Sequence, residues 1–266
     1  TMYCKRLSGC TMNDLSGFAA LILLLVFYAY TYWNAVKLKK IPRSRSPPGL
    51  MALGEMVGRA SEMGRPLFHS TGRGALYTSG AGTTLASFIV FSEVARKCAE
   101  VGTELIVGIG TAEHIPIITA LAEEAYLMAG SPESLNYDNL IFLGGTQSSS
   151  SAAIMEIMES RAPASFLVTG GYGADIATYG GVAREYKTLS LCGTTNTYQY
   201  PYAVAAYDYW LIGEDFLAAA AVISKDPVQI SNIWSGDLFR FEYAIVAYEI
   251  NHMLKSGYDI VRYLTM

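Results

Sequence analysis

The chain has 266 residues, of which 52% are hydrophobic and 16% are charged, and its formal net charge is −4. The negative balance argues against a nucleic-acid-binding protein, because such proteins need a basic surface that neutralises phosphates. Soluble domains usually contain about 25% charged residues. We therefore expect this chain to bury part of its surface, either in a homo-oligomer or in a larger membrane complex.

An apolar segment without Asp, Glu, Lys or Arg covers residues 15–36. A helix of about 20 apolar residues crosses the hydrocarbon core of a bilayer. Aromatic residues gather towards the end of the segment, and several Lys and Arg follow between residues 37 and 45. This order predicts a single-pass protein of the cell membrane with the bulk of its chain in the cytoplasm. A cleaved signal peptide and a buried core helix are the alternatives.

Composition divides the chain into five parts. We predict a short N-terminal tail (1–14), a transmembrane helix in the lipid bilayer (15–36), a basic Pro-rich linker (37–50), a cytoplasmic α/β domain (51–235) and a C-terminal helix and tail (236–266). Cys4 and Cys10 precede the apolar segment and could pair, whereas Cys98 and Cys192 are expected in the core. The cysteine spacing does not resemble a zinc site.

Six short apolar runs alternate with helix-length segments after residue 66. The runs cover residues 67–70, 104–108, 140–143, 165–169, 188–192 and 207–212, and the helical segments cover residues 83–101, 112–129, 148–161, 174–185 and 214–224. Several runs are continuously apolar, as in strands that are covered on both faces. The alternation predicts an α/β fold with a doubly wound, mostly parallel, Rossmann-like sheet. A further helix is predicted over residues 50–65, with Gly64 ending it in a left-handed conformation and Pro66 starting the next strand.

Small and polar residues follow the predicted strands, where open parallel sheets bind ligands. Glycine allows close approach of the backbone to a ligand, and helix N-termini favour anions. The candidates for binding a small molecule that carries phosphate or carboxylate are Gly108, Gly110, Gly144, Gly145, Thr146, Gly170, Gly171, Thr194, Thr195, Asn196, Glu214 and Asp215. Neither the full dinucleotide fingerprint nor the lysine-bearing phosphate loop is present, so the cofactor stays unknown. Alternatively, these residues only form tight turns and helix caps, and the serines at 148–151 only cap a helix N-terminus.

The titratable residues do not define a catalytic constellation. His69, His114 and His252 fall on different predicted elements, and His69 could face the crevice at the end of its strand. Glu214 and Asp215 begin a helix, where carboxylates favour the dipole without a catalytic role. We therefore predict no catalytic residue and no metal site.

An aromatic stretch and one arginine are candidates for a subunit interface. Tyr198, Tyr200, Tyr202 and Trp210 would present one aromatic face if the segment were extended, and tyrosine is enriched at interfaces. Arg65 could hold a carboxylate of a ligand or of a neighbouring subunit. A core edge for the aromatic residues and a structural ion pair for Arg65 are the alternatives.

Five short motifs carry a family resemblance. They are residues 62–66 (EMGRP), 70–72 (STG), 193–197 (GTTNT), 207–209 (YDY) and 212–214 (IGE). Together with the apolar segment, they resemble an uncharacterised bacterial family of membrane-anchored α/β proteins, described as a domain of unknown function, over about residues 51–228. The resemblance implies the fold and the anchor, and it implies no catalytic residue.

Two functional hypotheses follow from the sequence. The first is a non-catalytic, membrane-anchored assembly or scaffold protein whose α/β domain packs in a homo-oligomer or a larger membrane complex. The alternative is a ligand-binding or nucleotide-dependent enzyme that uses the glycine-rich strand ends.

Overall fold

The computed structural model describes residues 22, 25–33, 47–78 and 80–237. The chain divides into two units, one formed by residues 1–44 and 225–266 and the other by residues 45–224. In the first unit, residues 25–33 and 227–237 are helical. No helix among the described residues combines the length and the apolar character needed to cross a bilayer. Most of the predicted transmembrane segment lies outside the described residues, as do Cys4, Cys10 and nearly all of the predicted C-terminal helix.

Six parallel strands form the centre of the second unit. They are β1 (Leu67–Ser70), β2 (Leu105–Ile109), β3 (Leu140–Phe142), β4 (Ser165–Thr169), β5 (Leu189–Thr194) and β6 (Tyr209–Ile212). Their order in the sheet is β3-β2-β1-β4-β5-β6, and every pairing is parallel. The predicted α/β class and parallel sheet are therefore confirmed, and each predicted strand coincides with an observed one.

Seven α-helices flank this sheet within residues 47–78 and 80–224. They are α1 (Pro48–Met63), α2 (Ala81–Val101), α3 (His114–Met128), α4 (Gln147–Arg161), α5 (Asp175–Glu185), α6 (Tyr200–Ala206) and α7 (Glu214–Ser224). One hydrophobic cluster joins α1, α2, α3 and α7 to the sheet, and a second cluster joins α4, α5 and α6 to it. The two clusters show that helices cover both faces.

The strand order explains why the helices occupy two faces. The chain adds β2 and β3 on one side of β1 and then returns to add β4, β5 and β6 on the other side. Because crossovers between parallel strands are right-handed, reversing the direction of travel moves the connecting helices to the opposite face. Consecutive residues of the strands serve both cores: Leu67 belongs to one cluster and Phe68 to the other.

The junction between α1 and β1 follows the predicted local chemistry. Gly64 adopts φ 59°, which ends α1 in the left-handed conformation, and Pro66 then precedes the strand. Arg65 differs from its prediction, because it binds backbone carbonyls rather than a carboxylate. Its Nε donates to the Ala162 carbonyl at 2.6 Å and its Nη2 to the Pro163 carbonyl at 3.3 Å. It therefore fixes the loop that enters β4.

Three local predictions need correction. Residues 200–206 form α6 rather than an extended segment, with Pro201 in the first turn, where its fixed φ suits a helix start. Residues 48–50 belong to α1 rather than to the linker. His69 lies inside β1 and is fully buried, not at the end of the strand facing a crevice.

Candidate functional site

A cavity of about 290 Å³ lies at the carboxyl edge of the sheet, where β1 and β4 are neighbours. This is the point at which the strand order reverses, and open α/β sheets bind their ligands at such points. The loop after β1, the loop after β4 and the segment after β5 all contribute. The described lining residues are Arg73, Gly74, Thr78, Gly80, Thr83, Gly171, Tyr172, Asn196 and Tyr198.

The loops after β1 and β4 touch through their backbones. The Arg73 amide donates to the Gly171 carbonyl at 2.8 Å. Gly72 and Gly170 adopt φ 83° and 105°, and a Cβ at Gly72 would lie 2.8 Å from the Gly171 nitrogen. Glycine is required here because the conformation is left-handed and the facing backbone leaves no space for a side chain.

Arg73 reaches across the end of the sheet from β2 towards the loop after β4. Its Cγ occupies the space that a Cβ on Gly110 would need, at 2.5 Å from that position. Its Nη1 lies 2.7 Å from Asp175 Oδ2, and its guanidinium stands 5.9 Å from the centre of the Tyr172 ring. Burial disfavours the charged form, but the hydrogen bond and charge of Asp175 outweigh it and raise the pKa of Arg73. The guanidinium is therefore a permanent cation in the cavity wall.

Asp175 fixes the position of the Arg73 guanidinium. Its side chain is 1% exposed. Oδ1 accepts a hydrogen bond from the Gly173 amide at 2.8 Å, and Oδ2 accepts one from the Tyr179 hydroxyl at 2.6 Å. Burial and the bond to Asp175 raise the pKa of Tyr179 to about 12, so its phenol stays a donor. The carboxylate is thus committed to the protein and orients Arg73.

A polar network lies beneath the cavity between β1 and β4. Ser87 Oγ donates to the Thr71 carbonyl at 3.2 Å and contacts Thr169 Oγ1 at 2.6 Å, and Thr169 Oγ1 contacts His69 Nε2 at 2.8 Å. The Ser87 hydroxyl donates its proton to the Thr71 carbonyl, so it must accept a hydrogen bond from the Thr169 hydroxyl. Thr169 Oγ1 in turn accepts from His69, which places the imidazole proton on Nε2. Burial lowers the pKa of His69 to about 3, so the imidazole is neutral at physiological pH.

The segment after β5 forms the third wall. Thr195 Oγ1 hydrogen bonds to Thr83 Oγ1 at the start of α2. Tyr198 donates to the Tyr172 carbonyl at 2.6 Å, and Gln199 Nε2 donates to the same carbonyl. Thr194 Oγ1 in turn donates to Gln199 Oε1 at 2.6 Å. These bonds fix Asn196 and Tyr198 against the loop after β4.

The N-terminus of α2 faces this cavity through Gly80 and Thr83. Gly80 occupies the N-cap position and has no side chain with which to cap the helix. The Ala81 amide donates to the Thr78 carbonyl at 3.0 Å and the Thr83 amide to the Gly80 carbonyl at 3.0 Å, so the helix offers an anion mainly the positive end of its dipole. Arg73 adds a guanidinium to the same cavity, with Asp175 behind it as the counter-charge.

Several of the sequence-predicted ligand residues meet at the cavity. Gly171 and Asn196 line it, and Gly170, Thr194, Thr195 and Gly110 support its walls through the contacts described above. Gly108 has a structural role instead, because a Cβ there would lie 2.7 Å from the Leu143 side chain. These positions were found because the carboxyl ends of parallel strands share one edge.

Other candidates lie away from the cavity lining. Gly144 and Gly145 precede α4, whose N-cap is Thr146; Thr146 Oγ1 accepts from the Ser149 amide at 3.2 Å. The N-cap residue is therefore Thr146, and Ser149 of the serine run completes a capping box by accepting a hydrogen bond from the Thr146 amide at 3.2 Å. Glu214 and Asp215 occupy the first turn of α7, as predicted.

The predicted interface residues do not share one face. Tyr198 is 58% exposed and lines the cavity, whereas Tyr200 donates to the Thr195 carbonyl at 2.9 Å. Tyr202 and Trp210 are 43% and 42% exposed, on α6 and β6 respectively. The helical turn of α6 separates residues that an extended segment would have aligned.

Arg73, Gly74 and Thr83 line the cavity but are not among the candidates that the sequence indicates. A glycine pair at 72 and 74, directly after the first strand and before a long helix, was the available signal. The pair departs from the dinucleotide fingerprint because Tyr77 stands where the third glycine would be, and because the helix begins only at Ala81. Within the described residues, no group of three or more His, Cys, Asp or Glu side chains is arranged to hold a metal ion.

The sheet order and the cavity at its reversal define the molecule as a doubly wound α/β protein of the Rossmann-like class. The chain belongs to the family described as Domain of unknown function (DUF6754), whose model matches residues 9–256. No curated protein and no solved structure matches the chain significantly. The predicted relationship to a domain of unknown function is therefore confirmed.

Proposed function

We propose that this protein binds a small phosphate- or carboxylate-bearing molecule in the cavity between the ends of β1 and β4. The observation that carries the proposal is the placement of Arg73 and the N-terminus of α2 on one cavity at the reversal of strand order. Both groups favour negative charge, and Arg73 cannot lose its proton near neutral pH. The phosphate or carboxylate of the ligand would lie next to Arg73 and the N-terminus of α2.

The polar groups around Arg73 support an anionic ligand further. The described lining residues include the hydroxyls of Thr78 and Thr83 and the amide of Asn196, and no carboxylate is among them. The nearby carboxylate of Asp175 is bound to Arg73, Tyr179 and the Gly173 amide. The Thr78 hydroxyl already donates to the Ala75 carbonyl at 2.9 Å, and the Thr83 hydroxyl is bonded to Thr195. An incoming anion therefore relies on Arg73 and the Asn196 amide, and it meets no opposing carboxylate in the described lining.

The same surroundings favour binding over acid–base catalysis. General acids and bases work best with pKa values near the operating pH. The pKa of His69 is lowered to about 3 by burial, and burial raises the pKa of the Tyr172 phenol well above its ordinary value. Neither group is suited to exchange a proton with a ligand at neutral pH, which supports a binding module over an enzyme.

Calorimetric titration of the full chain with ATP, NAD⁺, citrate and inorganic phosphate tests this proposal. The discriminating variant is Gly171→Ala, because its methyl group would lie 3.4 Å from Gly74 Cα and 3.9 Å from Asn196 Nδ2, between two other lining residues. The added methyl meets only ordinary contacts, so the fold should persist. We expect Gly171→Ala to weaken binding at least tenfold.

Gly181→Ala is the matched control, because its methyl group meets no atom within 4 Å and it lies on the exposed side of α5. It should leave the affinity unchanged. A ligand present at 100 times its dissociation constant would also stabilise the fold by about 2.7 kcal/mol. Absence of heat and of any thermal shift with all four compounds, or equal affinity in both variants, would refute the proposal.

We propose, as a second function, that the protein is a membrane-anchored assembly component whose domain packs against copies of itself. Exposed apolar residues on α6 and on the edge strand β6 support this proposal: Tyr202, Val204 and Trp210 are each more than 40% exposed. Edge strands and aromatic patches are common contact surfaces. Native mass spectrometry of the detergent-solubilised full chain should show an oligomer that Trp210→Lys disrupts, and a monomer would contradict the proposal.

The proposed location of the molecule rests on the sequence. The apolar residues 15–36 and the basic residues after them support a single-pass anchor in the cell membrane with the α/β domain in the cytoplasm. The bacterial, membrane-anchored character of the resembled family belongs to the same proposal. Alkaline washing of membranes should leave the full chain in the pellet and release a variant that lacks residues 1–46.

A further inference from the structure

A second cavity, of about 330 Å³, lies near the opposite edge of the sheet. It is enclosed by the C-terminal end of α2, by α3 and by the segment that connects α3 to β3. Its lining includes Glu104 and Leu105, at the start of β2, so it lies at the edge formed by the amino ends of the strands, and we call it the amino-edge cavity. The 21 residues of α2 span about 30 Å, so this cavity and the proposed anion site lie at opposite ends of one helix.

The floor of this amino-edge cavity is apolar and buried. Val107, Ala122 and Cys98 are each almost completely inaccessible, and Leu135 and Leu140 add half-buried apolar surface. Burial raises the pKa of the Cys98 thiol to about 12, so the sulfur stays uncharged. Ser134, Asn136 and Asn139 also line the cavity, so its apolar floor lies beneath polar side chains. Apolar walls combined with polar groups are the usual composition of a small-molecule site.

One polar atom of the wall lacks a hydrogen-bond partner. Thr103 is 7% exposed, and its Oγ1 is buried without a partner among the described residues. Burying an unpaired hydroxyl is unfavourable, so a group that pairs with it inside the cavity is stabilised. Thr103 therefore points to an occupant with one hydrogen-bonding group.

The charges near the mouth are balanced. Glu104 forms an ion pair with Arg161, and its Oε1 also accepts a hydrogen bond from Asn139 Nδ2 at 3.0 Å. Burial raises the pKa of the Tyr126 phenol in the wall to about 12, with smaller contributions from Cys98 and Glu104, so it too is neutral. The lining therefore offers no unpaired charge to an ionic ligand.

We propose that the amino-edge cavity binds a neutral, mainly apolar molecule of the size of a fused bicyclic aromatic, with one hydrogen-bonding group paired to Thr103. An apolar cavity of about 150 Å³ holds benzene, and the volume here is about twice that. The site is separate from the proposed anion site and does not depend on it.

Titration calorimetry of the full chain with indole and with 2-naphthol tests the proposal directly. Ala122→Leu should abolish binding, because the larger side chain projects from the cavity wall. Ala120→Leu, on the exposed side of the same helix, is the matched control and should bind as the parent chain does. Gly171→Ala should also leave indole binding unchanged, which separates this site from the anion site.

Thr103→Val tests the hydrogen bond, because valine keeps the shape and removes the hydroxyl. We expect this variant to bind indole at least fivefold more weakly while its affinity for naphthalene stays the same. Binding of neither probe up to its solubility limit, or binding that Ala122→Leu does not change, would overturn the proposal.

Thiol labelling gives an independent readout in the same samples. Cys98 lines the cavity, whereas Cys192 is buried within β5 and is absent from the lining. Both thiols are buried and protonated, so methyl methanethiosulfonate should modify each of them slowly, and the informative quantity is the effect of the ligand. Saturating indole should slow the modification of Cys98 more than that of Cys192, as measured by peptide mass spectrometry, and equal slowing at both thiols would contradict binding at this cavity.

Discussion

The ion pair between Arg73 and Asp175 should contribute strongly to stability, and Asp175→Asn measures how much. The carboxylate is 1% exposed, and the guanidinium, which is 15% exposed, lies 2.7 Å from it. Asparagine keeps the shape but leaves a largely buried cation without its counter-charge. Breaking a buried pair in this way typically costs about 3–5 kcal/mol. Because Arg73 retains some contact with solvent through the cavity, we expect a loss near the lower end, about 3 kcal/mol.

Urea unfolding of the purified full chain, followed by far-UV circular dichroism, provides the measurement. Glu93→Gln is the control, because Glu93 and Arg96 form an ion pair near the surface, with 19% and 36% of their side chains exposed. Such pairs contribute about 0–1 kcal/mol. A cost for Asp175→Asn no larger than that of Glu93→Gln would refute the reasoning that Asp175 holds a desolvated cation in place.

A double-mutant cycle separates the pair from its surroundings. Arg73→Met alone should also destabilise the fold, because it leaves the buried Asp175 carboxylate without its cation. In the double variant neither charge is left unpaired, so its cost should be smaller than the sum of the two single costs by at least about 1 kcal/mol. Additive costs would mean that the two side chains act independently.

Three further predictions concern other parts of the fold. Gly181→Ala should stabilise α5 by up to about 1 kcal/mol, because alanine has the higher helix propensity. Gly180→Ala should instead destabilise the fold by about 1–2 kcal/mol, because its Cβ would lie 2.4 Å from Ala206 Cβ. Urea unfolding of both variants measures whether the two changes in stability have opposite signs. In the folded protein burial lowers the pKa of His69 to about 3, so the imidazole stays neutral down to about that pH. In the unfolded chain the same imidazole binds a proton below about pH 6.5. Stability should therefore fall by up to about 1.4 kcal/mol per pH unit as pH drops from about 6 towards 3, and His69→Gln should flatten this slope in unfolding titrations. Thr146→Ala should cost about 1 kcal/mol by removing the cap of α4, and faster amide exchange in the first turn of α4 would show where the loss occurs.

The sequence was informative where structure depends on neighbours along the chain. The apolar runs that became β1 and β4 were placed at the observed residues, because strands covered on both faces are continuously apolar. Gly64 was correctly assigned as a left-handed helix end for a similarly local reason. The error at α6 came from alternating tyrosines, whose spacing suggested a strand although Pro201 also suits the first turn of a helix.

The candidate site was only partly accessible from the sequence. Gly171 and Asn196 were selected because every strand end reaches the same edge of a parallel sheet. Arg73 was not, because its role depends on Asp175, 102 positions later along the chain. Nothing local to either residue indicates that they meet.

The sequence by itself determined the class of the fold, because hydrophobic periodicity, glycine and proline act over a few residues at a time. The tertiary structure decided which strand ends are neighbours, since the order of β1 and β4 in the sheet depends on how whole βαβ units pack. Burial then set the chemistry of the site. His69, which the sequence places at a strand end facing a crevice, is instead a neutral, buried member of a hydrogen-bond network, because the sheet removes it from water.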